Sequence, residues 1–279
     1  RNPLLTTTYG VGELILNALH EGCRDFVIGL GGSATNDAGM GMLQALGCRF
    51  LDDGGAPVGF GGRELRRVGR IDVSGMPAEL ADCTFKVACD VDNPLYGPDG
   101  AAFVFAPQKG ATEAMVAELD AGLRHFADTI MRQLGIEIGS IPGGGAAGGL
   151  GAAFAGLLKA ELQSGVGLVL DMIGMDEHLQ GAQFVITGEG RLDGQTGRGK
   201  APLGVAKRAA KLGIPVIALA GSVGEGSGQL NEMGITSYFP IVSGPMPLEQ
   251  AMDPAVAGRH LRTTARQLFR LIRAADGRG

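Results

Sequence analysis

The sequence predicts an α/β fold with mainly parallel strands, and three features carry that expectation. Short apolar runs alternate with longer stretches of helical period along the chain. Glycine supplies 49 of 279 residues, well above a usual share of about 7 %. No collagen period or low-complexity tract absorbs these glycines. They cluster just after apolar runs, where the strands of a parallel sheet end and ligand loops begin. A chain of this length implies about two domains.

The elements follow in order. Thr8 precedes a helix over 10–21, where Val11, Leu14, Ile15, Ala18 and Leu19 make one apolar face, and Gly22 suits its C-cap. Residues 26–30 read as a buried strand, followed by a first glycine loop over 29–37. A small-residue helix over 38–46 ends at Gly47, and a strand over 48–51 precedes an Asp-Asp-Gly-Gly turn. Residues 60–75 read as irregular, with basic Arg63, Arg66, Arg67 and Arg70. Strands are predicted at 85–89 and 101–105. Thr112 caps a long amphipathic helix to about Leu134. A second glycine loop over 142–151 opens a helix to about Leu162. A strand over 166–170 follows, with Asp171 capping a helix to about Gly181. Then come a strand over 183–187, a third glycine loop to Lys200, a helix over 201–212 and a strand over 216–220. A fourth loop starts at Gly221, and a weak strand spans 238–242. The last helix runs from about Leu248 to Ala274 with an interruption near Pro254. The strand–loop–helix rhythm becomes regular after Gly181. The expected domains are therefore a glycine-loop-rich α/β domain, 1–180, and a second one, 181–279.

Composition excludes several classes. The net charge of −5 is spread along the chain, no block of Lys or Arg stands out, and there is no Trp. No nucleic-acid partner is expected. No apolar run reaches the roughly 18 residues that span a bilayer, so no membrane partner is expected. Cys23, Cys48, Cys83 and Cys89 lack metal-type spacing and read as buried free thiols in a reducing cytoplasm. The four histidines fall in helical stretches and none is read as catalytic. The opening Arg1-Asn-Pro-Leu-Leu reads as the interior of a longer protein.

The loops carry the chemistry. Strand, glycine-rich charged loop, helix is an arrangement that presents backbone N–H groups and a lysine to phosphate. Gly194–Lys200 fits the first seven positions of a G-x-x-x-x-G-K loop, but Ala201 stands where a Mg²⁺-binding Ser or Thr belongs. Lys200 at a helix start suits phosphate, or is simply solvated. Gly29–Ala34 fits a dinucleotide turn, with Asp52 and Asp53 about 20 residues on. The polar run Ser33-Ala-Thr-Asn-Asp37 suits phosphate or Mg²⁺ contacts better than the opening of an apolar helix, and Asp37 also reads as an N-cap. Asp90 and Asp92 at a strand end suit Mg²⁺, a substrate hydroxyl, or plain turn chemistry with Asn93-Pro94. Glu189 and Asp193 flank Arg191, which favours ionised carboxylates suited to a base or a Mg²⁺ partner.

Five stretches taken in order resemble the bacterial glycerate kinase family: Gly31-Gly-Ser-Ala-Thr-Asn-Asp37, Ala88-Cys-Asp-Val-Asp-Asn-Pro-Leu95, Pro107-Gln-Lys-Gly110, Pro142-Gly-Gly-Gly-Ala-Ala-Gly-Gly149, and Ile186–Thr196 with Gly199-Lys200. That family begins with a Pro-Asp-Ser segment and an Asp-Gly-Gly-Glu-Gly turn, neither of which this sequence contains. The resemblance implies ATP-dependent phosphorylation of D-glycerate with Mg²⁺, giving 2-phosphoglycerate. It implies two α/β domains, one Rossmann-like with a mainly parallel sheet, and an active site in the interdomain cleft. Residues 181–279 would supply the C-terminal part of the Rossmann-like domain. Asp193, Lys200 and Asp90 are then the expected catalytic groups, Asp193 orienting or deprotonating the hydroxyl and Lys200 neutralising the transferring phosphoryl group. Binding falls to Gly31, Gly32, Ser33, Thr35, Asn36, Asn93, Gly143, Gly144, Gly145, Glu189, Arg191 and Thr196, and Mg²⁺ to Asp37 and Asp90. A homodimer is a further expectation. The rival readings are an NAD-dependent oxidoreductase using the 29–34 turn, and a kinase remnant that binds ligand without turnover.

Overall fold

The computed structural model describes residues 2–194, 201–275 and 277. Its chain divides into two compact units, Arg1–Gly165 and Val166–Gly279. Both are built on parallel sheets, as the alternating pattern predicts.

In the first unit α1 (Tyr9–His20) buries Ile15 and Leu19, and Gly22 follows it with φ of +90°. Strand β1 (Asp25–Gly29) leads by way of the first glycine loop to the short α2 (Met40–Ala45). Gly12 lets α1 and α2 touch, since a Cβ there would lie 2.3 Å from the Met42 carbonyl oxygen. Strands β2 (Arg49–Leu51) and β3 (Arg70–Asp72) form an antiparallel pair. Strand β4 (Thr84–Ala88) precedes α3 (Ala101–Phe105) and α4 (Glu113–Leu134). Thr112 caps α4 by accepting a hydrogen bond from the Met115 N–H, and Gly135 closes it at φ +70°. Helix α5 (Ala146–Leu157) and strand β5 (Glu161–Gln163) complete the unit.

The sheet order is β1-β4-β5, all parallel, with Gly29, Ala88 and Gln163 in register. Phe26 stacks on Phe85 at 4.8 Å, and Phe85 meets Phe154 of α5 at 6.1 Å. Phe126 and Phe154 are fully buried, each contributing about 1.5–3 kcal/mol by leaving water. This core fixes the level at which three loops leave the sheet together.

The second unit opens with α6 (Gly165–Met172) and α7 (Met175–His178), followed by β6 (Val185–Leu192), α8 (Ala201–Lys211) and β7 (Val216–Val223). Helix α9 (Gln229–Glu232), β8 (Ser237–Pro240), α10 (Leu248–Met252) and α11 (Pro254–Ala275) follow. The parallel sheet runs β6-β7-β8, with Glu189, Ala220 and Pro240 in register. Ala206 and Ala209 of α8 pack with Val216 and Ala218, while Leu268 of α11 packs with Ile217 and Leu219.

Several local expectations are corrected. Residues 101–105 and 166–170, read as strands, lie in α3 and α6. Asp171 sits inside α6, paired with Arg208, rather than capping a new helix. Helix α5 stops at Leu157, and β5 replaces its predicted end. The irregular basic stretch contains a 3-10 helix, Gly62–Arg67, and β3. Residues 188–192 and 221–223 continue β6 and β7, so the third and fourth loops begin later than expected. All four cysteines are free, but only Cys48 is buried and Cys23 is exposed.

Candidate functional site

The site in the first unit is built where β1 and β4 end. Leu30 still donates its N–H to the Ala88 carbonyl, after which the chain leaves the ladder. The polar run that follows turns inward and is fastened at Asp37. That carboxylate is fully buried and accepts hydrogen bonds from the Thr8 N–H (2.8 Å), the Thr8 hydroxyl (3.0 Å), the Gly39 N–H and the Gly41 N–H (both 3.3 Å). Burial raises its pKa against the lowering effect of those bonds. Both its oxygens are engaged within the fold, which makes it an anchor for the loop. It is not the cap expected of an apolar helix.

The second glycine loop packs directly on the first. Ala147, Gly148 and Gly149 take left-handed φ values of 51°, 74° and 94°, and the Ala38 N–H donates to the Gly148 carbonyl at 3.0 Å. A Cβ on Gly148 would lie 2.0 Å from the Thr35 carbonyl oxygen, so only glycine permits this approach. The third partner is the segment after β4. Gly145 donates to the Asn93 carbonyl at 2.9 Å, Asn93 donates its side-chain amide to the Asp99 carbonyl, and Asp90 accepts from the Gly165 N–H at 2.9 Å. The expected phosphate-cradling role of Gly144 and Gly145 meets a physical obstacle. Their N–H groups already serve Ile141 and Asn93, so with Gly143 they act as buried packing positions.

These loops enclose a cleft of about 400 Å³, lined among others by Gly31, Gly32, Ser33, Asp90, Lys109 and Ala147. Among the described residues the N–H groups of Gly31, Gly32 and Ser33 find no backbone or side-chain acceptor. Lys109 is a candidate to which the motifs assigned no role. It ends a 3-10 helix, Pro107–Lys109, is only 4 % exposed, and donates from Nζ to the Thr35 carbonyl at 2.7 Å. An ammonium carries three donors, and this one hydrogen bond uses one of them. Burial pushes its pKa down to about 8, against the upward pull of Asp37. Its signal in the sequence is the Pro107-Gln-Lys-Gly110 stretch. Asn36, between Thr35 and Asp37, is fully buried with neither side-chain amide atom partnered. Such groups are rare in folded proteins. Free N–H groups, a buried cation and the Asp90 carboxylate thus line one cleft, a donor set whose chemistry suits a small hydroxylated anion.

In the second unit, Glu189 and Arg191 lie on β6, paired in register with Ala220 and Ser222. Asp193 follows the strand end, its carboxylate 3.3 Å from Arg191 Nε. Thr196 and Lys200 lie outside the described residues. Among the described residues, no three His, Cys, Asp or Glu side chains gather as a metal cluster, and no helix is long and apolar enough to cross a membrane.

The oxidoreductase reading fails on geometry. The 29–34 turn does not open a dinucleotide-type helix, because the chain dives to the Asp37 anchor and α2 begins only at Met40. Asp52, one of the two acids about 20 residues beyond that turn, accepts from the Gly54 and Ala56 N–H groups and pairs with Arg67.

The chain is similar to several known proteins. The profile of the glycerate kinase family matches residues 1–273. A glycerate kinase of Halalkalibacterium halodurans is 52 % identical over 253 residues, covering 91 % of this chain and 67 % of that protein. The glycerate 2-kinase of Escherichia coli is 48 % identical over 255 residues, covering the same shares of each. A crystal structure assigned as glycerate kinase 2 of Salmonella typhimurium LT2 superposes with a TM-score of 0.82 at 43 % identity, covering 99 % of this chain and 72 % of the other.

Proposed function

We propose that this chain, which belongs to the glycerate kinase family, transfers the γ-phosphoryl group of ATP to the 2-hydroxyl of D-glycerate. The observation that supports this most is the first unit's cleft, where a buried lysine and unpaired loop N–H groups meet an exposed carboxylate. Lys109 and the Gly31–Ser33 amides hold the glycerate carboxylate. The hydroxyl oxygen attacks the γ-phosphorus, the bond to the bridging oxygen of ADP breaks, and Asp193 accepts the hydroxyl proton. Lys200 carries the neutralising charge that phosphoryl transfer demands.

A divalent ion fits the donor set. Asp90 engages Gly165 through Oδ1 alone, which leaves Oδ2 for Mg²⁺, an ion bound by one or two carboxylates together with substrate phosphates. Mg²⁺ supplies charge neutralisation on the transferring group. Asp37 supports the site from beneath by fixing the loop.

The test is ADP release from ATP with and without D-glycerate, with Mg²⁺ or with excess chelator, and phosphorus NMR of the product. Glycerate- and Mg²⁺-dependent ADP with 2-phosphoglycerate is expected. ADP release indifferent to glycerate would refute the assignment.

A further inference from the structure

The second unit carries a cleft whose chemistry differs from that of the first. It holds about 620 Å³, within the roughly 300–1,000 Å³ of small-molecule sites. Its floor is formed by Glu189 and Gly190 of β6 and by Gly221–Val223 of β7, in the carboxyl-terminal halves of two parallel strands. That is where open α/β sheets take ligands. Its walls come from the segment after β8 and from α10 and α11, with Ile241, Val242, Met246, Met252 and Ala257 facing it. Met252 remains 70 % exposed and Leu248 74 %. No Lys or Arg lines the cleft among the described residues, and its one charged group is Glu189. Among the described residues the lining is thus mainly aliphatic, unlike that of the first cleft. Ser222 and His260 also line it, and the His260 Nδ1 lies 3.1 Å from the Ser243 hydroxyl.

We propose that this cleft is a nucleobase pocket that receives the adenine ring of the phosphoryl donor. The inference rests on the kinase reading above. A planar heteroaromatic ring matches the walls: Met thioethers and branched aliphatic groups pack on its faces, while Ser243, His260 and exposed strand-end backbone meet its edge donors and acceptors.

Photolabelling of the unmodified chain with 8-azido-ATP, with and without competing ATP, tests the pocket directly. ATP-protected label in the peptides spanning 240–260 is expected. Protected label in peptides around 30–33 or 105–109, or no protected label, would overturn the proposal. A second arm fills the pocket with Ala257→Trp, checked for an unchanged melting profile. The KM for ATP should rise about tenfold or more while the KM for D-glycerate stays put, and an unchanged KM for ATP in the folded variant would overturn the pocket. Glycerate-dependent turnover with label elsewhere would refute the pocket and leave the kinase standing. Protected label at 240–260 without glycerate-dependent turnover would do the reverse.

Discussion

Lys109 shows what a single residue contributes. Its cation is held under the loops with one carbonyl for a partner, a state that costs folding free energy and suits anion binding. The sign follows from its lowered pKa of about 8. Below that pH the ammonium is charged in both folded and unfolded chains, so the whole burial cost is present at neutral pH. Lys109→Met should therefore lose glycerate turnover without losing stability, and calorimetry at pH 7 should find a melting temperature no lower than that of the parent. A clear drop would make Lys109 a structural residue. Asp193 is a different case, half-buried and paired with Arg191. Asp193→Asn should cut kcat by about 10²-fold or more, the usual share of a general base, with melting unchanged; near-parental kcat would remove it from the reaction. Both Asp37 and Asp193 were legible in the sequence as candidates. Their difference was not, because burial and the four donors around Asp37 arise from tertiary contacts with Thr8, Gly39 and Gly41.

At the level of elements, the punctuation was readable and short apolar runs were not. Thr112 and Gly135 bound α4 as their chemistry demands. Ala101–Phe105 and Val166–Leu170 could be strand or helix on periodicity alone, since five apolar residues do not span two helical turns. Strand β5 reads Glu-Leu-Gln and carries no strand signature of its own. It exists because its backbone completes the ladder on β4. The glycine loops held more information than their motifs implied. Gly148 is required by the close approach to Thr35 and by its φ of +74°, so Gly148→Ala should cost more than about 1 kcal/mol and loosen the first loop. Denaturant unfolding would measure the loss, and a rise in the KM for glycerate would accompany it. An unchanged unfolding midpoint would contradict the packing account.

At the level of the molecule, the order of motifs was enough to indicate two parallel-sheet units, and each unit holds a cleft lined in part by residues at or just beyond its strand ends. The sequence did not reveal that the two clefts differ in chemistry, one glycine-lined with a buried lysine and an aspartate, the other mainly aliphatic. That division depends on which side chains the loops turn inward. The central claim is that the first unit's cleft recognises glycerate through the charge of Lys109. The pH dependence of kcat/KM for D-glycerate in the parent and in Lys109→Met tests it most directly. The parent should lose kcat/KM as pH rises through about 8, where the ammonium loses its proton. The variant should be at least about tenfold lower and lack that alkaline limb, with the KM for ATP unaltered. A variant that keeps the parental kcat/KM and the same alkaline limb would contradict the account.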